Sequence, residues 1–302
     1  MPNDDFQEVC VAESTYERDA SGNLVMKLPA ALANRCMPLN ISEYTDPVRA
    51  VVGADSALGL SLAEFLRDLT IIDEDPDPED GAWKAVLRSW RSVIYRAAET
   101  FEAYSTNLKG ALLLNDKSYR KSTKTFDALV KRHRDKWAFL ANKMKHNGNE
   151  LMPVIHHFER SLKVVHGYSL VQPVGLDAKD VNKSFHKGRE RARSYDSDLR
   201  QLIYDILRVD AAAAMVIDSI EDDPSVPPLP AYQVAWSIND QLTKISARPI
   251  RVIPLQSHMF DSFSLMPDQL VTTRQTAEVI FEGSRVKTMF VADGITRSYP
   301  II

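Results

Sequence analysis

Cysteine is scarce in this chain. Only Cys10 and Cys36 occur among 302 residues, both in the amino-terminal segment. That number excludes a disulfide scaffold, and their separation lacks the paired spacing of a zinc site. Two quiet core thiols are the expectation. Long apolar runs are missing as well: no stretch approaches eighteen consecutive apolar residues, so no membrane-spanning helix is expected. The start, MPNDDFQEVC, does not have the basic-then-apolar order of a secretory signal, which leaves a cytoplasmic location as the default. No GxGxxG occurs, and the stretch from Gly53 to Gly59 lacks the lysine and hydroxyl residue of a P-loop, so nucleotide hydrolysis is disfavoured. No GxSxG elbow marks a serine nucleophile, and neither cysteine has an evident histidine partner for acyl transfer. His146, His156, His157, His166 and His186 are not accompanied by HExxH, paired CxxC or a carboxylate set. Neither a metal nor a cofactor is expected.

What is present is ordinary globular material, 44% hydrophobic and 26% charged, enough for a large core. The net charge of −4 conceals a strong asymmetry: residues 1–80 carry 17 acidic against 5 basic side chains. Residues 117–146 are the reverse, with ten Lys or Arg against Asp127 and Asp135, and residues 179–193 add six basic against two acidic. A basic centre beside an acidic flank implies either an anionic partner or pairing between the segments.

The pattern along the chain divides it into an acidic segment (1–80), a helical core with a β-hairpin insertion (81–221) and a small α+β tail (222–302). Before residue 60 the pattern is weak, with one strand expected over 23–28 and loops around Gly53 and Gly59. Ser61-Leu62-Ala63-Glu64 has the spacing of a capping box, predicting a short helix from Ser61 to about Ile72. The acidic, proline-broken run at 73–80 reads as an exposed linker. Apolar residues then recur at three- and four-residue spacing, from Trp83 through Trp90 and Ile94 to Tyr104 and Leu108. A second such stripe runs through Phe126, Val130, His133, Trp137, Leu140 and Met144, so two long helices should form a hairpin. His133, lying on the apolar stripe, reads as a satisfied core histidine.

Residues 152–155 and 162–170 look extended and are expected to pair as a hairpin, with a long irregular loop over 172–193. In that loop Phe185 and Tyr195 lie near cations, a composition suited to stacking on single-stranded nucleic acid as well as to a solvated loop. Ser194 or Ser197 can cap a third long helix whose buried face includes Leu199, Ile203, Ile206, Leu207 and Ile217. After the proline-rich boundary at 222–230, the tail is expected to hold a helix near 234–245 and strands near 251–255, 278–282, 285–292 and 296–299. Glu282-Gly283-Ser284 has the look of a hairpin turn.

The stretch with most chemical content closes the second helix: Ala141-Asn142-Lys143-Met144-Lys145-His146, followed by the helix-ending Asn147-Gly148-Asn149. On a helical wheel His146 lies opposite the Trp137 and Leu140 stripe and shares a side with Asn142. An imidazole near neutral pKa beside cations suits metal-free RNA cleavage or phosphate binding. It equally suits a residue that meets the negative end of the helix dipole.

On these residues the region 82–221 resembles the HEPN superfamily, helical domains that include toxin and antiviral ribonucleases as well as inactive RNA-binding or dimer-forming members. The signature is an Arg, often followed by Asn or Asp, with a His four to six residues after the Arg. Asn142 and His146 match, but Ala141 stands where the Arg belongs. The resemblance implies a mainly α fold, a HEPN-like long-helix bundle with a small α+β carboxy-terminal region. It implies RNA or a protein as partner, a homodimer, and a setting in toxin–antitoxin or antiphage defence. His146 and Asn142 would be its catalytic pair, with Lys143, Lys145, Arg134, Lys187 and Arg189 as RNA contacts. The missing Arg implies an inactive member, a site completed by Lys143, Lys145 or Arg134, or an engineered inactivation. The rival expectation is a non-catalytic assembly subunit of a defence or toxin–antitoxin complex, in which His146 only ends a helix.

Overall fold

The structure is a computed structural model that describes residues 18–32, 35–36, 47–75, 78–108, 120–146, 148–158, 163–173, 179–186, 192–225, 227–228, 236–248, 262–265, 269–282 and 285–300. It is mainly helical. In chain order the elements are α1 (Leu28–Leu32), α2 (Pro47–Glu74), α3 (Asp80–Glu102) with a π-helical turn (Ala103–Leu108), α4 (Arg120–His146), β1 (Glu150–Phe158), β2 (Lys163–Pro173), β3 (Lys179–Val181), β4 (Arg193–Ser194), α5 (Tyr195–Asp218), α6 (Trp236–Ala247), β5 (Ser262–Leu265), β6 (Gln269–Glu282) and β7 (Arg285–Pro300). No helix among the described residues is long and apolar enough to cross a membrane. The chain forms two compact units from non-contiguous segments: residues 1–70, 88–141 and 199–248 make the first, and residues 71–87, 142–198 and 249–302 the second.

In the first unit the helices bury one stripe each. Trp90 of α3 packs on Phe65 of α2, with ring centroids 4.8 Å apart, and edge-on against Trp137 of α4 at 6.3 Å, the offset geometries that aromatic quadrupoles favour. Val130, Trp137 and Leu140 of α4 and Leu199, Ile203, Ile206 and Ile217 of α5 are buried as their spacing predicts. His133 is buried, with Nδ1 2.7 Å from Asp205 Oδ1, a satisfied core histidine as expected. Ile238, Leu242 and Ile245 give α6 its buried face. Arg200 closes the end of α6 by donating to the carbonyls of Ser246 and Arg248, at 2.6 and 2.7 Å.

Two expectations near the amino terminus fail. Ser61 does not start a helix, because α2 begins at Pro47, where the missing amide of proline costs nothing. Val51, Leu58, Leu62, Phe65 and Leu69 form one buried stripe, which outweighs the roughly 1 kcal/mol that each of Gly53 and Gly59 costs inside a helix. Ser61 Oγ instead lies 3.0 Å from Ser92 Oγ on α3. Residues 23–28 are not a strand either. Asp19 accepts hydrogen bonds from the amides of Ser21 and Asn23, at 2.9 and 2.8 Å, Gly22 takes φ +83°, and a single bridge joins Arg18 to Leu24 before α1 starts.

The second unit contains a four-stranded antiparallel sheet in which β2 pairs with β1 along its length, from Glu150↔Val171 to Phe158↔Lys163, and with β3 and β4 on its other side. The expected hairpin is thus present. The expected long loop is shortened by β3, by a turn over 182–186 and by β4; residues 187–191 lie outside the described residues. Ser194 is the cap of α5, its Oγ accepting from the Ser197 amide at 3.2 Å. A second sheet has the order β5-β6-β7. β7 runs unbroken where two strands were expected, the irregularity falling opposite it between Arg274 and Thr276. The expected strand at 251–255 lies outside the described residues.

Candidate functional site at the end of helix α4

The last turn of α4 belongs to the second unit from Asn142 onward. Asn142, Lys145 and His146 are exposed, and Lys143 and Met144 are half-buried. With about 100° per residue, Asn142 and His146 lie one turn apart on the outer side, as the wheel predicts. Ala141, one residue earlier, is only 8% exposed. Ala141, the position of the arginine in the signature that the sequence resembles, is therefore packed in the interior and not displayed.

The helix stop that presents His146 is built from three small or amide residues. Gly148 takes φ +61°, a left-handed conformation that costs other residues about 1 to 2 kcal/mol, and this turns the chain out of the helix. Asn149 is buried and folds back, Nδ2 donating to the Lys143 carbonyl at 3.3 Å, so a carbonyl orphaned at the helix end finds a donor. Asn149 Oδ1 in turn accepts from Asn182 Nδ2 at 2.7 Å. Asn182 Oδ1 gathers the amides of Ser184 and Phe185 and the Ser184 hydroxyl. His186 completes this support: its Nε2 accepts from the Leu170 amide at 2.9 Å, and its own amide donates to the Asn182 carbonyl at 2.9 Å. Sequence reading found the stop at Gly148 but missed the Asn149–Asn182 link, since a pair 33 residues apart carries no periodic signal.

The other expected contacts are placed as follows. Lys187 and Arg189 lie outside the described residues. Arg134 belongs to the first unit, where its Nη1 donates to Glu102 at 3.1 Å. Phe185 and Tyr195 are not open for base stacking: both are buried, and both stack on Tyr168, at 6.3 and 5.6 Å between centroids. Arg193 lies over the Phe185 ring and pairs with the buried Asp198 at 2.9 Å, which explains why the aromatic residues of a basic stretch turn inward. Burial pushes the Tyr195 hydroxyl pKa upward. His166 pairs through Nδ1 with Asp73 Oδ1 at 2.8 Å beside the Trp83 ring.

Sequence reading did not single out a polar cluster inside the first unit. Asp55 of α2, Tyr104 of the π-helical turn and Asp210 of α5 are all buried. Tyr104 Oη lies 3.2 Å from Asp55 Oδ2 and 3.4 Å from Asp210 Oδ1. Asp210 also accepts from the amides of Lys27 and Leu28, at 2.5 and 3.1 Å, and so caps α1 from another helix. The available signal was an aspartate on an apolar stripe: Asp55 sits between Val51 and Leu58, and Asp210 between Leu207 and Ala213. No protein family, curated protein or solved structure matches this chain.

Proposed function

We propose that this chain is a HEPN-like protein that binds RNA through the carboxy-terminal turn of α4, with Lys143 and Lys145 neutralising phosphate and Asn142 and His146 contacting the adjacent sugar or base. The observation that carries this reading is the shared outer side of Asn142 and His146, with Lys145 exposed beside them, at a helix end held by Gly148 and Asn149. If the bound RNA is cleaved, neutral His146 takes the proton of a 2′-hydroxyl as its oxygen attacks the adjacent phosphorus. The bond to the 5′-oxygen breaks, and that oxygen leaves with a proton from water. Because Ala141 faces inward, such cleavage relies on Lys143 and Lys145 for charge, and binding ranks ahead of catalysis in this reading.

Affinity for single-stranded RNA measured across a salt series tests the proposal. The wild type should lose affinity steeply with salt, and alanine at both Lys143 and Lys145 should flatten the log–log slope by roughly one to two units, one released counterion per lost phosphate contact. An unchanged slope, or no affinity at low salt, overturns it. Cleavage assays with chelator present, comparing the wild type with His146→Ala, separate a nuclease from a binder.

The second reading is a non-catalytic subunit that assembles with protein. A groove of about 650 Å³ on the first unit favours it, lined by Phe126 and Leu129 of α4 and by Ala211, Ala212, Met215 and Val216 of α5. Met215 is 73% exposed there, an apolar side chain left in water. A stable protein complex that Met215→Glu abolishes, in a chain without RNA affinity, would establish this alternative.

A further inference from the structure

The cluster of Asp55, Tyr104 and Asp210 has more acceptors than donors. Tyr104 has one hydroxyl hydrogen, yet its oxygen lies within hydrogen-bonding reach of two carboxylates, 3.2 Å from Asp55 and 3.4 Å from Asp210. If both aspartates are ionised, one of these contacts sets lone pair against lone pair in a dry interior, and two buried negative charges face each other. One added proton removes the conflict. With Asp55 protonated at Oδ2, its O–H donates to Tyr104 Oη, and the Tyr104 O–H donates to Asp210 Oδ1. Asp210 then remains the charged end of the chain, stabilised by the amides of Lys27 and Leu28.

The asymmetry between the carboxyls decides which one holds the proton. Asp210 accepts two backbone amides, whereas the described contacts of Asp55 include only Tyr104, and Asp55 Oδ1 is buried with no hydrogen-bond partner among the described residues. We propose that the folded chain holds one shared proton on Asp55, relayed through Tyr104 to Asp210, and that loss of this proton unfastens residues 24–32 from α5. The direction follows from burial: an ionised pair gains by reaching water, and the Lys27–Leu28 turn that closes on Asp210 is the contact whose opening lets water in.

Among the described residues, the charged and titratable groups facing the clasp are Asp55 from α2, Tyr104 from the π-helical turn, Asp210 from α5 and Lys27 from the turn that closes on Asp210. Burial raises Asp55 well above the usual carboxylate range, the charge of Asp210 adding to it. Burial also raises Asp210, to about 6, with the amides of Lys27 and Leu28 opposing the rise. The ends of the segment are tied independently. Leu24 donates its amide to Thr243 Oγ1 at 2.8 Å, and Arg35 pairs with Asp222 at 2.8 Å. The Arg35 hydrogen bond holds Asp222 below its ordinary pKa, so that tie persists through neutral and alkaline pH. Opening is then local to the Lys27–Leu28 turn and α1.

Amide hydrogen exchange of the full chain between pH 6 and 9, corrected for the intrinsic rate, tests the clasp. Because Asp55 is ionised when opened to water but protonated when closed, protection at Lys27 and Leu28 should fall by about tenfold per pH unit until the folded pKa of Asp55 is reached, while Ile203 and Ile206 keep theirs. In Asp55→Asn the amide Nδ2 replaces the protonated oxygen as donor to Tyr104, and protection at Lys27 and Leu28 should stay flat. The infrared band of a buried protonated carboxyl should be present in the wild type at pH 7 and missing from Asp55→Asn. Flat protection in the wild type, an equal slope in Asp55→Asn, or absence of the carboxyl band overturns the inference.

Discussion

Asp205 is the acceptor on which the junction of α4 and α5 depends, and its removal should be costly by a predictable amount. Its Oδ1 lies 2.7 Å from His133 Nδ1 and accepts from Gln201 Nε2 at 2.8 Å, while Oδ2 accepts from Trp137 Nε1 at 2.9 Å. His133 and Trp137 are buried, so neither donor can turn to water when the carboxylate is gone. Each unsatisfied buried donor costs about 1–3 kcal/mol, so Asp205→Ala should lose roughly 4 kcal/mol. With a urea m-value of about 3 kcal/mol per M, the midpoint falls by over 1 M. Asp205→Asn keeps one acceptor oxygen and should lose about half as much. The assay is urea unfolding followed by helical circular dichroism and tryptophan fluorescence, with Asp218→Ala on the exposed end of α5 as a control. An Asp205→Ala midpoint within about 0.3 M of the wild type would refute the reasoning, since it would mean that these donors are satisfied by water or by each other.

Three further outcomes are expected. Gly148→Ala should destabilise the second unit by about 1–2 kcal/mol, because a Cβ at φ +61° is strained even though it would meet only Pro173 Cγ, at an ordinary 4.0 Å; thermal unfolding measures this, and an unchanged midpoint would show that the turn relaxes freely. Ala141→Arg should not restore a surface arginine: at a site only 8% exposed it should cost several kcal/mol or force α4 to repack, read as a lowered melting temperature with no gain in RNA cleavage under chelator. The stability of Asp55→Asn relative to the wild type should increase with pH. A carboxyl raised by burial holds its proton more tightly folded than unfolded, so the wild type loses stability as pH rises from about 4 toward the folded pKa of Asp55, by about 1.4 kcal/mol per pH unit. Urea midpoints at several pH values check the sign, and a variant that loses ground at high pH would reverse it.

The long helices were legible because burial imposes a 3.6-residue period on Trp83, Trp90, Ile94 and Tyr104, on Phe126, Val130 and Trp137, and on Leu199, Ile203 and Ile206. The β1–β2 hairpin, the serine cap at Ser194 and the exposed side of α4 were legible for similar reasons, each being a local consequence of spacing or side-chain chemistry. The start of α2 was misread because two glycines in the sequence look like breaks, whereas the stripe from Val51 to Leu69 gains enough from burial to carry the helix through them. The strand expected over 23–28 was lost to a capping carboxylate, Asp210, that sits more than 180 residues away in sequence.

What the sequence by itself determined was therefore the set of amphipathic elements and the composition of the turn at Asn142, Lys143, Lys145 and His146, because these depend only on neighbours within a few residues. What only the tertiary structure decided was which polar groups share the interior. Asp205 meets His133 and Trp137, Asn149 meets Asn182, and Tyr104 stands between Asp55 and Asp210. A buried polar group takes whichever partner packing delivers to it, and that partner has no fixed distance along the chain.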